Sequence, residues 1–492
     1  MLQSSVSRFA GALICLILLS PQVRAADFDE VVVDLGHPAN GDMVKLENGH
    51  HLVVAGHSMR DRWLSIVDIR DHEPRLVSLP AGMQFFAPGR LAQHEGPLLL
   101  FLGARGVRAY HPDNSEWSDV VLTDSLYRGQ DPKRILHSDF ARDVTGNGLS
   151  DLLLPDFEHY HLYLQQEDGS FRDFQLDMPA QMRTLDRTTS FLPRRAHLLD
   201  INLNGRLDLA FFVDGQMWVF HQTEEGSFAE SPEFYPLRVP LSPDLDVDMR
   251  PGEGLDYSGL ELRRVQRLED LNGNGLPDLV VRKQVFQDAL DQAQSYLVYY
   301  GRETENGLQF PAQADARIDT EGFQFEPLFV DANGNGRTDF LTASTQLGLT
   351  SIVRALLTGS SGAEVRVHLQ RDDGQFSSEP DYQMTARVEI NIRGATAHMP
   401  MVTLADLNGN GRSTLLVSQG RDTLLSYAAE RNGLFARRAE RFSFTLPRDA
   451  DRIRVLDLDG DGRDDLVLPF GPMDERELRG QLRLLYSRSP AD

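Results

Sequence analysis

The chain has 492 residues, with 49 Lys and Arg against 73 Asp and Glu, for a formal charge of −24 at neutral pH. That balance sets it against nucleic-acid and anionic-membrane partners by simple repulsion. Hydrophobic residues at 41% and charged residues at 25% exclude a disordered chain, a collagen and a polytopic membrane protein.

Residues 1–25 read as a signal peptide. Arg8 supplies the basic region, residues 10–20 a short apolar stretch, and Val23-Arg24-Ala25 ends in the small residue a signal peptidase accepts. The run is short for a bilayer span, and Leu13-Ile14 before Cys15 lack the small residues of a lipoprotein signal. Cys15 is the single cysteine, so a chain cut after Ala25 has no disulfide, although an exported compartment would permit one. No later segment reaches the roughly 18 consecutive apolar residues of a membrane helix. The expectation is an exported monomer, periplasmic or extracellular, with residues 26–492 forming one domain held together by something other than sulfur.

A β rhythm then begins. Val31-Val-Val-Asp-Leu35 is one short run. Met43-Val-Lys-Leu, His51-Leu-Val-Val, Leu64-Ser-Ile-Val and Leu76-Val-Ser-Leu form a first group of four, and Gln84-Phe-Phe, Leu98-Leu-Leu-Phe-Leu, Val107-Arg-Ala-Tyr and Val120-Val-Leu a second.

From residue 143 a nine-residue pattern, D-x-[D/N/T]-x-[D/N]-G-x-x-D, recurs six times. It presents Asp143, Thr145, Asn147 and Asp151, then Asp200, Asn202, Asn204 and Asp208, then Asp270, Asn272, Asn274 and Asp278. Asp331, Asn333, Asn335 and Asp339 follow, then Asp406, Asn408 and Asn410 with Thr414 in the ninth place, and last Asp457, Asp459, Asp461 and Asp465. The first aspartates are 51 to 75 residues apart, the length of one small supersecondary unit with variable loops.

Carboxylate and amide oxygens at positions 1, 3, 5 and 9, with a backbone carbonyl at 7, can wrap a hard cation such as Ca²⁺, which takes six to eight oxygens. Glycine at position 6 lets the chain reverse where a Cβ would obstruct. An EF-hand opens the same way but needs a bidentate Glu at position 12. Here that position is Leu154, Phe211, Val281, Thr342, Val417 or Leu468, so the EF-hand is excluded. Up to six calcium ions are the expected cofactor, structural rather than catalytic, taking the place of the missing disulfides.

Short apolar runs flank each loop, such as Leu198-Leu199 before and Leu209-Ala-Phe-Phe-Val after the second. Many units close on a Gly-x-Phe turn, as at Gly169-Ser-Phe171, Gly226-Ser-Phe228 and Gly374-Gln-Phe376. Four strands per unit is a propeller blade. The expected fold is therefore an all-β propeller of four-stranded blades, eight by this division and seven if two weak units merge. The last unit stops at a third strand near Tyr486, and Val31–Leu35 can supply the fourth and close the ring, removing sheet edges that invite aggregation.

Residues 135–492 resemble the FG-GAP/VCBS repeat proteins, the group that includes the calcium-binding propeller blades of integrin α-subunits. The Phe-Gly and Gly-Ala-Pro elements that name the repeat are not legible here, so the resemblance implies the fold and the ion loops but no integrin-type ligand.

Other candidates carry less. His159 and His161 alternate on one face of a strand and suit a transition metal or a base. Arg194-Arg195 offers a grip for an anionic ligand but reads first as a solvated surface pair, and Trp63, Trp117 and Trp218 as packing rather than sugar platforms. No Gly-rich phosphate loop, nucleophile elbow or paired zinc motif stands out. If the acidic loops join first and second strands, the opposite face carries the long insertions 241–260, 282–294, 343–363 and 470–480, where a protein or glycan partner would bind. The reading is a binding scaffold without catalysis; the alternative is a secreted carbohydrate-active enzyme of polysaccharide-lyase type, which would need a clustered Tyr/His/Arg group.

Overall fold

The computed structural model describes residues 27–488 except 47–49, 129–131, 186–187, 245–258, 287–291, 325, 346–359, 392–395, 399 and 431–434. Residues 1–26, which include the stretch read as a signal peptide, and the central parts of the insertions at 241–260, 282–294 and 343–363, lie outside the described residues.

Eight antiparallel blades follow one another in chain order. Blade 1 is Met43–Lys45, His51–His57, Arg62–Asp68 and Pro74–Leu76, and blade 2 is Met83–Gly89, Leu98–Gly103, Gly106–His111 and Glu116–Leu122. Blade 3 is Ala141–Arg142, Asp151–Pro155, Tyr160–Gln165 and Phe171–Leu176; blade 4 is His197–Leu199, Asp208–Val213, Gln216–Phe220 and Glu233–Tyr235. Blade 5 is Glu261–Glu269, Asp278–Phe286, Gln292–Tyr299 and Ala316–Glu321; blade 6 is Leu328–Val330, Asp339–Thr345, Ser360–His368 and Tyr382–Asn391. Blade 7 is Val402–Ala405, Thr414–Gln419, Thr423–Tyr427 and Glu440–Phe442. Blade 8 takes Arg454–Leu456, Asp465–Pro469 and Gln481–Arg488 from the end of the chain and Asp27–Asp34 from its beginning. In that last pair Val31 lies opposite Leu484 and Val33 opposite Leu482. A single 3-10 turn, Ala450–Arg452, is the helical content of the described residues.

The continuous apolar runs follow from where the blades sit. Successive side chains of a strand point to opposite faces, and a blade in the ring is covered on both. In the second strand of blade 2, Leu99 and Phe101 pack with Val53 and Leu64 of blade 1, whereas Leu100 and Leu102 pack with Leu152 and Leu154 of blade 3. The same division recurs around the ring, and the described residues form eight apolar clusters, one at each junction of neighbouring blades. One of them joins the last blade to the first: Val33, Leu458, Val467, Leu482 and Leu484 pack against Leu52, Val54 and Val67. Seven blades are thus excluded. Sheet stabilisation rests on burial, since each fully covered Leu, Val or Phe contributes on the order of 1.5–3 kcal/mol.

Candidate metal centre on six acidic loops

Every acidic loop joins the first and second strands of its blade, and its ninth residue is the first residue of the second strand. The loops therefore share one face, and the connections between second and third strands emerge on the other.

The aspartate at position 1 organises each loop by accepting backbone amides. Asp143, Asp200, Asp270, Asp331, Asp406 and Asp457 each accept, on Oδ2, the N–H of the glycine at position 6, over 2.6–3.1 Å. Those glycines sit at φ of 74–85°, the left-handed region that side chains resist, which is why position 6 does not vary. Position 4 is also left-handed, and there Leu203 (φ 58°) replaces the glycine of the other five loops.

The ninth residue does something the residue pattern does not announce. Asp151, Asp208, Asp278, Asp339 and Asp465 are at most 1% exposed. Each accepts on Oδ2 the amide of position 2, at Val144, Ile201, Leu271, Ala332 and Leu458. On Oδ1 each accepts the amide of a residue near the end of the third strand, at Gln165, Gln222, Gly301, Gln370 and Ser487, over 2.8–2.9 Å. One carboxylate thus ties loop to sheet. These partners are backbone groups, so no side-chain type marks them in the sequence.

The buried carboxylates suit a cation. Burial pushes Asp151, Asp278, Asp339 and Asp465 up to about 6, outweighing the amides that pull them down; a bound cation would reverse that. Asn333 at position 3 of the fourth loop has a buried Oδ1 with no hydrogen-bond partner. In the sixth loop one oxygen each of Asp457, Asp459 and Asp465 lie within 4.8 Å of one another. Asp461 is outside that group: its Oδ1 accepts the Arg463 amide, and its Oδ2 lies 3.6 Å from Arg463 Nη1. Elsewhere the remaining position-5 side chains cap their own turns, Asn147, Asn204, Asn274, Asn335 and Asn410 each accepting the amide two residues on. Thr145 and Asn272 at position 3 donate to the ninth carboxylate, and Asn202 and Asn408 stand at the corresponding places. The donor set as a whole, carboxylates and amide carbonyls around a tight turn, fits calcium, and the ion would bring positive charge to the buried oxygens.

The second loop differs. His221 Nδ1 lies 3.1 Å from Asp208 Oδ2 and its Nε2 3.1 Å from Glu233 Oε2, and the hydrogen bond to Asp208 raises its pKa above the ordinary value.

Consecutive loops also interlock. The position-8 amides of Thr338, Ser413 and Asp464 donate to carbonyls of the preceding loop at Leu271, Ala332 and Asp406. A Cβ on Gly334 would come within 2.7 Å of the Gly411 carbonyl oxygen, so in the fourth loop glycine at position 4 is also a packing requirement. In the fifth loop, where Thr414 stands in the ninth place, the Asp464 carboxylate of the next loop accepts the Asp406 amide at 2.7 Å.

The tryptophans pack, as expected: Trp63 stacks on His37, Trp117 lies against Phe101 and Tyr110 beneath the Arg108 guanidinium, and Trp218 meets Phe234 edge-on. Arg194 corrects the reading of a solvated pair. Its side chain is 7% exposed, pairs with Asp244 at 2.7 Å, and donates to the Pro179 and Phe212 carbonyls. Sequence reasoning missed it because its partners lie 15 to 50 residues away.

The FG-GAP-like repeat profile matches residues 406–468, the fifth and sixth loops with their blade strands. Four further loops of the same frame stand on the preceding blades, so the matched repeat sits in a propeller whose other acidic loops follow its pattern. No curated protein matches it. Among solved structures it is similar to an Agrocybe aegerita lectin described as recognising non-reducing terminal N-acetylglucosamine, at 14% identity and a TM-score of 0.41, over 87% of this chain and 93% of the lectin. It is also similar to the Dos1 propeller, at 8% identity and a TM-score of 0.41 over 94% and 95%. A third is the dihydro-heme d1 dehydrogenase NirN, at 12% identity and a TM-score of 0.39 over 86% and 75%.

Proposed function

We propose that the chain is an exported β-propeller whose acidic loops bind calcium and whose rigid ring serves as a protein- or glycan-binding scaffold without catalysis of its own. The observation that carries the calcium reading is the buried ninth carboxylate, repeated on five blades, for which His221 in the second loop is the one ion-pair partner among the described residues. An all-oxygen site of this kind rigidifies a loop rather than activating a substrate. The ligand surface belongs to the face opposite the loops. There the connection 470–480 is tied down by Arg421 and Arg448, which both pair with Glu475, and by Asp474, buried beneath it. Among the described residues no helix is long and apolar enough to cross a membrane.

Elemental analysis of protein purified without chelator is expected to find calcium in near-stoichiometric multiples, and EGTA to lower the melting temperature steeply. A ligand that binds only the folded state stabilises it by about 2.7 kcal/mol per site at a hundredfold excess over Kd. An unchanged melting curve together with absent calcium overturns the metal reading. The scaffold reading is tested separately, by pull-down from the native envelope or medium and by a panel of uronic-acid polysaccharides; release of unsaturated product would make the chain a lyase.

A further inference from the structure

The turn between the second and third strands of blade 3 gathers a second set of ligands, on the face away from the acidic loops. Asp156 follows the strand Asp151–Pro155, and His159 precedes Tyr160–Gln165. The Asp156 amide donates to the His159 carbonyl at 2.8 Å, which sets the two residues opposite each other across the hairpin. His161, two residues on, projects to the same side as His159.

The three side chains converge. His159 Nε2 lies 3.3 Å from His161 Nε2 and 3.7 Å from Asp156 Oδ2, and the ligand atoms of all three residues lie within 4.8 Å of one another. A tetrahedral ion with metal–nitrogen bonds of about 2.0–2.1 Å separates its ligands by about 3.3 Å, which is the spacing of the two imidazole nitrogens.

Two of the three ligands are also oriented from behind. Asp173 Oδ1, on the outer strand, lies 3.2 Å from His161 Nδ1. A proton held there leaves the Nε2 lone pair facing His159, the arrangement that metal-bound histidines share. Tyr163 stacks on the His161 ring at 5.7 Å and 19°. Asp156 Oδ1 accepts the Phe157 amide at 2.8 Å, leaving Oδ2 for the ion. Side-chain exposures of 16–33% for the three ligands leave the site open to solvent.

We propose that Asp156, His159 and His161 bind a divalent transition metal of the zinc class, with Asp173 positioning His161 and a fourth coordination place open to water or an external ligand. Nitrogen ligands select such ions over calcium, so the site is chemically separate from the oxygen loops. It stands whether or not those loops bind calcium.

The test uses untagged full-length protein, stripped with EDTA and returned to excess CaCl₂, then titrated with ZnCl₂ by calorimetry and with CoCl₂ by visible absorption. The expected result is one Zn²⁺ per chain and the intense d–d bands of four-coordinate Co²⁺. His159→Ala and His161→Ala should each abolish both signals, and Asp173→Asn should weaken zinc binding about 10–100-fold. Melting curves in calcium that match the unmutated protein show that the variants are folded, and His159→Gln provides a second, isosteric removal of the ligand. Absence of zinc heat in the unmutated protein, or binding that survives the double His159→Ala/His161→Ala change, overturns the proposal and leaves the pair as a plain imidazole–imidazole hydrogen bond.

Discussion

The loops at Asp406 and Asp457 sit on adjacent blades and share one backbone frame, with the same position-1 aspartate closing on the same position-6 glycine amide, yet they differ in nearly every oxygen that could hold a cation. The Asp457 loop presents four carboxylates at positions 1, 3, 5 and 9, and the Asp406 loop one. The frame is therefore independent of the ion chemistry; backbone amides shape the turn in both. They differ in setting as well. Asp457 lies at the junction of the last and first blades, where Lys45 donates to its carbonyl. Arg488 spans the neighbouring Asp459 and Asp29 of the N-terminal strand. The Asp406 loop is enclosed between two loops of its own kind, bonded to both through Ser413 and Asp464.

The largest difference is expected from removing position 1 in calcium. Asp457→Ala should remove a filled ion and loosen the junction with the N-terminal strand, lowering stability by about 4 kcal/mol, the mass-action value of one saturated site together with its amide hydrogen bonds. Asp406→Ala should cost about 1 kcal/mol, the worth of its amide hydrogen bonds. Calorimetry showing equal losses would break the comparison and show that charge count does not rank these loops.

Thr414→Asp runs the comparison in the other direction by giving the fifth loop its missing carboxylate at a site 1% exposed. The variant should melt higher than the unmutated protein in calcium and lower in EGTA, where the new carboxylate is buried without a counter-charge. A shift of the same sign in both buffers would mean that Asp464 or the backbone already fills that place.

In EGTA the two loops should also part with pH. Burial raises Asp465 to about 6 in the folded chain, against about 3.9 in an unfolded one. A raised carboxylate favours the folded state only while protonated, so this contribution is complete below about pH 4 and is lost as pH rises through 6. Calcium-free protein should therefore gain melting temperature as pH falls from about 7.5 to about 5.5, and Asp465→Asn should reduce that gain by about a quarter, since Asp151, Asp278 and Asp339 are raised alike; Thr414→Ser, at the same place in a group that does not titrate, should leave it unchanged.

The smallest effect concerns the frame alone. Leu203 holds the left-handed φ of 58° that glycine holds in the other loops, at a cost of about 1–2 kcal/mol for an L side chain. Leu203→Gly should recover about 1 kcal/mol with or without calcium, since no ion ligand changes; a calcium-dependent gain would show that position 4 tunes the site.

Much of this was legible along the chain. Asp, Asn and Gly at fixed offsets specify a tight turn through contacts within nine residues, and apolar runs on either side specify strands buried on both faces, so the loops and the blades followed from local pattern, while the choice of eight over seven waited for the packed junctions between them. The pairing of Asp27–Asp34 with Gln481–Arg488 was legible as well, because three strands at one end and one at the other leave a single completion. What only the tertiary structure decided is carried by backbone groups or by residues far apart. The ninth carboxylate reaches an amide of the third strand 14 to 31 residues away, and the loops interlock through carbonyls that every residue possesses. Arg194 is buried by an aspartate 50 residues on. Asp156 and Asp173 join His159 and His161 only once three strands of blade 3 lie side by side. Side-chain identity records the groups that need a particular chemistry, and leaves no trace of main-chain partners or of the register that brings distant residues within bonding distance.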